Sequence, residues 1–381
     1  MALKVANRGK VPAFIVMDVV RASAEREAAG EDILHMEVGQ PATSAPKAVI
    51  EAAKQALDSD AIGYTQSLGI LPLRTAIAQH YNDFYGLQVD AANIAVTGGS
   101  SCGFILSFLA SFDAGDRVAL ASPGYPAYRN ILKALDVEVV DIPVGPETNF
   151  QPTVRDLEKI EGRLDGLMIA SPSNPAGTMI GKAELQGLVS YCATHEIRLI
   201  SDEIYHGITY GQKATSALSF TSDAIIINSF SKYFSMTGWR LGWMVVPDSM
   251  LRSVETLAQN LFISSPTLSQ LAAVAAFDNY AELDANVARY AANRELLLKE
   301  LPRAGFDKLA SADGGFYIYA DISDLSNDSD AFCKRMLAET GVASTPGLDF
   351  DPTRGHKFVR FSFAGSLDDM AAAAQRLIEW A

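Results

Sequence analysis

Short apolar runs separated by helix-length stretches dominate the middle of the chain. Residues 94–96, 117–121, 137–142, 167–170, 198–200, 225–227 and 241–246 are rich in Ile, Val, Leu and Ala and too short for helices. Runs of this kind predict strands buried on both faces, in a mostly parallel or mixed sheet covered by helices. Upstream, residues 2–12 read as an arm. Ile15, Val19 and Ala22 then share one side of a predicted helix over 15–29 that Gly30 ends, and 33–37 reads as a short strand. Gly39, Pro41 and Pro46 break regular structure before Val49, Ile50, Ala53 and Leu57 resume helical spacing. Residues 257–280 are rich in Ala and Leu, and 283–301 continue as a long helical pattern suited to linking two domains. Beyond it, 315–322 and 357–363 alternate as strands do, and 331–339 and 368–380 are helix candidates, so an α+β carboxyl-terminal unit follows an α/β one.

Composition narrows the class. A chain of 381 residues, 49% hydrophobic and 20% charged, can build a large core and more than one domain. Its 31 basic against 45 acidic residues give a net charge of −14, without a continuous basic tract for a nucleic-acid backbone. The three cysteines form no CxxC pair, which fits a reducing cytoplasm, and the five histidines show neither HxH nor HExxH spacing, so no metal is expected. The apolar run 103–112 is too short to cross a bilayer, and the amino end lacks a signal peptide's apolar core.

The chemistry concentrates in AIIINSFSKYFSMTGWRLGW, residues 224–243. Ser229 to Lys232 leave the end of a buried strand, where open α/β sheets place their ligands. A lysine amine forms an imine with a carbonyl once desolvation or a nearby cation lowers its proton affinity. Arg240 can be that cation, and can also grip a phosphate with the Ser229 hydroxyl as a further donor. SxxK spacing alone is weak, since it also occurs by chance and in lactamase-like contexts.

The wider sequence, and SFSKYFSMTGWRLGW most of all, resembles the class I/II aminotransferases, fold-type-I enzymes dependent on pyridoxal 5'-phosphate (PLP). The resemblance covers nearly the whole chain. It implies an α/β fold: a large α/β/α sandwich domain over 39–280 that binds PLP, a smaller α+β domain from 14–38 and 281–381, and an arm over 1–13. It also implies that Lys232 carries the imine link to the cofactor, with Ser229 and Arg240 on its phosphate. In ISDEIY, Asp202 matches the aspartate paired with the pyridine nitrogen and Tyr205 a tyrosine bonded to the ring oxygen. Helix capping or packing would explain those two residue types as well. In SPSNPAG, Asn174 matches a second donor to that oxygen, although turn formation alone accounts for the segment. TGGSS places Gly99, Ser100 and Ser101 at a helix start where free backbone NH groups can bind phosphate. Tyr125 of SPGYPAY matches the aromatic stacked on the cofactor, with a packing clamp as the plain reading. Tyr64 of IGYTQSLG matches a tyrosine that reaches the other subunit's phosphate, which implies a homodimer with shared sites. In VRFSFA, Arg360 matches the arginine that binds the substrate carboxylate, Gly39 of MEVGQP and Asn174 lie with it, and Arg354 in DPTRG is expected to stay solvated.

The implied reaction moves an amino group from a 2-amino acid to a 2-oxo acid, with Lys232 as the proton carrier and Asp202 and Tyr205 tuning the ring. A neutral or hydrophobic donor is expected, since no second substrate arginine is identifiable and Phe14, Ile15, Tyr64 and Phe262 are candidates for an apolar wall. Pyruvate and 2-oxoglutarate are the acceptors suggested by the resemblance. Two other readings stay open at this point: another PLP enzyme such as a carbon–sulfur β-lyase, and a noncatalytic PLP-responsive interaction protein.

Overall fold

The computed structural model describes residues 3–59 and 62–381; Met1 and Ala2, the start of the expected arm, lie outside them. A two-residue strand β1 (Leu34–His35) precedes the main sheet, which is built from β2 (Ile94–Thr97), β3 (Arg117–Ser122), β4 (Glu138–Pro143), β5 (Gly166–Ala170), β6 (Arg198–Asp202), β7 (Ile225–Ser229) and β8 (Gly242–Val245). Their order across the sheet is β2-β8-β7-β6-β5-β3-β4. The β3–β4, β3–β5, β5–β6 and β6–β7 pairs are parallel, and β8 runs antiparallel to both β2 and β7. The central β6 and β7 are buried along almost their whole length, as the Ile-rich runs require of strands with helices on both faces. Each flanking helix turns a stripe inward: Leu185, Leu188, Val189 and Cys192 are the buried side of Lys182–Thr194. Fully burying one such Leu or Val stabilises by about 1.5–3 kcal/mol relative to leaving it exposed.

The sheet order places six parallel carboxyl ends, those of β2 to β7, along one edge. The antiparallel β8 starts at that same edge, so Arg240, two residues before it, arrives there from the opposite chain direction. The site is a consequence of this mixed direction.

After β8 the Ala/Leu-rich stretch does not form one helix. Asp248–Leu261 ends, Ile263 takes a positive φ of 66°, and Pro266 precedes a separate short helix Thr267–Ala273. Proline lacks the amide a continuing helix needs, which explains the break. Tyr280–Glu300 is then a single helix of 21 residues. A second sheet follows, from β9 (Lys308–Leu309), β10 (Tyr317–Asp321), and, after β11 (Val342–Ala343), β12 (Thr345–Pro346) and β13 (Phe358–Ser362), in the order β12-β13-β10-β9 with antiparallel pairs. β11 pairs instead with β1 in parallel, Leu34 opposite Val342, which ties the amino-terminal segment to the carboxyl-terminal unit. Among the described residues no helix is long and apolar enough to cross a membrane.

Candidate active site

The edge of the main sheet opens into a cavity of about 560 Å³ whose other wall comes from β10, β13 and the segment that precedes β1 and follows it. Ser100 and Ser101 enter from the turn after β2, Tyr125 and Tyr128 from after β3, and Asn174 from after β5. Asp202 ends β6 and Tyr205 follows it, Lys232 comes from after β7 and Arg240 from before β8. Opposite them stand Gly39, Tyr317 and Arg360. Residues up to 346 positions apart in sequence thus share one space because their strands end together.

The phosphate-like end is shaped by close approach. Gly99 has a φ of 85°, and a Cβ there would lie 2.8 Å from Nη2 of Arg240, so a side chain would fill the gap between turn and guanidinium. The helix Ser100–Ser111 begins at this point and directs its unpaired amides outward. Arg240 itself sits at a positive φ of 51° and donates from Nη1 to Thr237 O at 3.1 Å.

At the centre, Lys232 Nζ donates to Gly39 O at 2.5 Å and lies 5.9 Å from the Tyr205 ring and 5.8 Å from that of Phe316. Burial lowers its ammonium to about 8; Arg360 and Arg240 push the same way and Asp202 opposes them. Asp202 is 4% exposed. Its Oδ1 accepts from Ile204 N at 3.0 Å and its Oδ2 from the Tyr128 hydroxyl. Burial raises its carboxyl to about 6, against those hydrogen bonds and Lys232. A carboxylate in this position therefore lacks a full cationic partner, which a protonated ring nitrogen would supply. The Tyr205 hydroxyl is 2.7 Å from that of Tyr317.

Arg360 is 2% exposed, with its guanidinium carbon 4.5 Å from the Tyr317 ring and 4.7 Å from that of Phe350. It donates to Asn174 Oδ1 at 2.8 Å, to Glu37 O and to Thr345 Oγ1 at 3.2 Å, while Nε is buried without a partner. None of these acceptors is a carboxylate. A buried guanidinium on neutral partners and aromatic faces is a seat for an incoming carboxylate.

Several sequence expectations are corrected. Ser229 does not line the cavity: it is 1% exposed, donates to Leu241 O at 3.1 Å and accepts from Ser231 N at 3.0 Å. Its neighbour Ser231 reaches the wall instead. Gly99 contributes backbone behind Arg240 and does not reach the wall, while Tyr64, expected to serve the other subunit's site, is 83% exposed in this chain. Arg354 stays 39% exposed in its side chain, as expected, but is not free: its guanidinium is held by Asp351 and by the carbonyls of Ser122 and Val144, where it ties the carboxyl-terminal loop to the main sheet. Of the four apolar candidates only Phe14 faces the cavity, joined by Val16 and Met17. Ile15, one helical step away, faces Val19 and Leu337, and Phe262 packs near Val96 and Leu106. Tyr128, Ser231 and Tyr317 were not singled out from the sequence. Tyr128 follows Tyr125 by one helical turn on Pro126–Ala134, a spacing that could have drawn attention to it.

An amine of lowered proton affinity, a buried carboxylate and a guanidinium beside a glycine turn form a site fitted to an aldehyde cofactor with a phosphate arm. Comparison with known proteins agrees. The family model for class I and II aminotransferases matches residues 31–377. Over 100% of this chain and 99% of the relative, the sequence is 52% identical to valine–pyruvate aminotransferase of Mycobacterium tuberculosis. It is 30% identical to an aspartate aminotransferase of Pyrococcus horikoshii, over 94% of this chain and 93% of that one. A crystal structure of an aminotransferase from Mycobacterium tuberculosis superposes with a TM-score of 0.98 at 51% identity, covering 100% of this chain and 99% of that one. The chain belongs to the class I and II aminotransferases, and is a PLP-dependent enzyme that transfers amino groups from amino acids to 2-oxo acids.

The lowered Lys232 value gives a direct expectation. Only the neutral amine attacks an aldehyde, so in cofactor-free protein the rate at which added PLP becomes fixed to Lys232 by borohydride should climb with pH through a midpoint near 8. A midpoint near the ordinary lysine value of about 10.4 would place this amine in water.

Proposed function

We propose that the donor is a neutral, hydrophobic 2-amino acid of the branched aliphatic kind, with pyruvate or 2-oxoglutarate as acceptor. The observation that carries this reading is the Arg360 guanidinium, buried on neutral partners and opening on the same cavity as Lys232. It leaves one carboxylate seat. Among the described residues the cations on the wall are Lys232, Arg240 and Arg360, and with Arg240 taken by phosphate none of these remains for a side-chain carboxylate. Phe14 and Val16 offer apolar surface in its place. The name of the 52% identical relative supports a valine-like donor and pyruvate.

In this reading Arg240, Ser231 and the amides at Ser100 and Ser101 would hold the phosphate, with Gly99 leaving the room for it and Ser229 supporting Ser231 from behind. Asp202 would pair with the cofactor's ring nitrogen, Tyr205 and Asn174 would donate to its ring oxygen, and Tyr125 would cover its ring. PLP, when bound, supplies an aldehyde for the amine and a ring that takes up electrons. Arg360 and the Gly39 segment orient the donor's carboxylate, which fixes the direction of its Cα–H bond. Lys232 Nζ, depressed to about 8, is poised to take the Cα proton near neutral pH. Asp202 holds positive charge opposite its carboxylate, and Tyr205 holds its hydroxyl proton toward the cavity. Closure of the segment around Gly39 over the donor would exclude water.

The reading includes a division into domains at 14–38 with 281–381 and at 39–280, supported by the separate sheets. It also includes a homodimer in which Tyr64 completes the other subunit's phosphate site. Ile62, Tyr64, Leu261 and Ile263 support this: they are exposed apolar residues on two segments joined by the Thr65 N to Ser264 Oγ hydrogen bond. Three free cysteines are compatible with a reducing cytoplasmic setting. Half-reactions of the PLP-loaded enzyme with alanine, valine, leucine, phenylalanine, aspartate and glutamate test the donor class. Valine and leucine should convert the cofactor most efficiently, and an aspartate-only profile would overturn the proposal.

Arg360→Lys keeps the charge but loses the planar fork. Half-reaction efficiency should fall about 10- to 100-fold for both amino and 2-oxo acids, with PLP retention unchanged. Equal efficiency in the variant would move the carboxylate seat elsewhere.

A further inference from the structure

Three parts of the cavity that come from distant segments meet at one side chain, Tyr317 of β10. Its hydroxyl lies 2.7 Å from that of Tyr205. Its ring face lies 4.5 Å from the guanidinium carbon of Arg360. Its Oη fills the space beside Gly39, where a Cβ would come within 1.7 Å of it, and the Gly39 carbonyl accepts from Lys232. Tyr317 is 1% exposed and lines the cavity.

A phenol has one proton to give and two lone pairs to receive with. Two phenols at 2.7 Å share one proton between them, so only one of the pair keeps its own for another acceptor. If Tyr205 spent its proton on Tyr317, it would present lone pairs to the cavity and repel an anionic ring oxygen. We propose that Tyr317 is a positioning residue for Tyr205: it gives its proton to the Tyr205 oxygen, which leaves the Tyr205 proton aimed at the cofactor's ring oxygen. This rests on the role assigned to Tyr205 above. A hydroxyl that accepts one hydrogen bond also donates the next more strongly. The geometry adds that the same ring braces Arg360, so one residue of the carboxyl-terminal sheet sets both the carboxylate seat and the donor at the ring.

Tyr317→Phe removes the hydroxyl and keeps the ring against Arg360. The other charged and titratable groups that face Lys232 and Tyr205, namely Asp202, Arg240, Arg360, Tyr125 and Tyr128, stay in place. Weaker donation from Tyr205 leaves more negative charge on the ring oxygen, which then holds the imine proton at Lys232 more tightly. The pH midpoint of the holoenzyme's absorbance change should rise by about 0.4 to 1 unit. In a Tyr205→Phe background the same substitution should shift nothing, and binding of the unreactive carboxylate 3-methylbutanoate should stay within about twofold of the parent. An unchanged midpoint in Tyr317→Phe, or an equal shift in both backgrounds, would overturn the proposal. If borohydride fixed no cofactor to Lys232 in the unaltered enzyme, the site reading would fall first and this inference with it.

Discussion

Lys232→Ala should leave a protein that still takes up PLP yet turns over at least about 10,000-fold more slowly. The expected separation of binding from turnover follows from the geometry. In the proposed site the phosphate would rest on Arg240, Ser231 and the helix start at Ser100, whose recorded hydrogen bonds do not involve the Lys232 side chain. Its amine contacts the Gly39 carbonyl, and its burial lowers the ammonium to about 8. Removal of a desolvated cation should not unfold the chain, because the aliphatic stem leaves space that a bound cofactor covers. The loss falls on the proton that must leave the donor's Cα, for which no other amine lines the cavity among the described residues. Borohydride treatment should fix the cofactor to the Lys232 peptide in the parent and to no peptide in the variant. Fixation at a different lysine would remove Lys232 from its place in the account.

The second large effect is expected at Asp202. Asp202→Asn keeps size and shape, and the amide can still accept from Ile204 N as the carboxylate does at 3.0 Å. It cannot hold a positive charge on the cofactor's ring nitrogen. The half-reaction with a good amino donor should therefore slow by about 100- to 10,000-fold while PLP remains bound. Stability should move the other way in the cofactor-free protein. Burial raises the Asp202 carboxyl from 3.8 to about 6, so the folded state binds the extra proton and stability falls as pH rises through that window. The asparagine variant lacks this contribution and should lose less stability between about pH 4 and 6. Near-normal half-reaction rates with PLP correctly bound would contradict the assigned role.

The elements were legible where burial is simple. The Ile225–Ser229 and Gly166–Ala170 strands stand close to their apolar runs because strands covered on both faces admit few polar residues. The broken stretch after Leu261 was harder, since Ala and Leu suit any helix and only Pro266 marks the interruption. In the site, residues at strand ends could be found from motif and position together, as with Lys232, Asp202 and Asn174. Facing was less accessible. Ser229 and Ser231 differ by two residues in one tight turn, and whether either reaches the wall depends on Leu241 from the neighbouring strand. Ile15 and Phe14 adjoin in sequence but face different cavities once the helix docks against β12. Tyr317 carried no signal at all, because FYIYAD reads as an ordinary buried strand and its partners lie 112 and 43 positions away.

The central claim, that this cavity moves an amino group intact from donor to acceptor, is tested most directly by following nitrogen. PLP-loaded enzyme mixed with ¹⁵N-labelled valine and no acceptor should release one 2-oxo acid per site and retain the ¹⁵N on the protein-bound cofactor. Addition of pyruvate should then deliver the label to alanine. Release of the label as free ammonia in place of transfer to alanine would contradict the account.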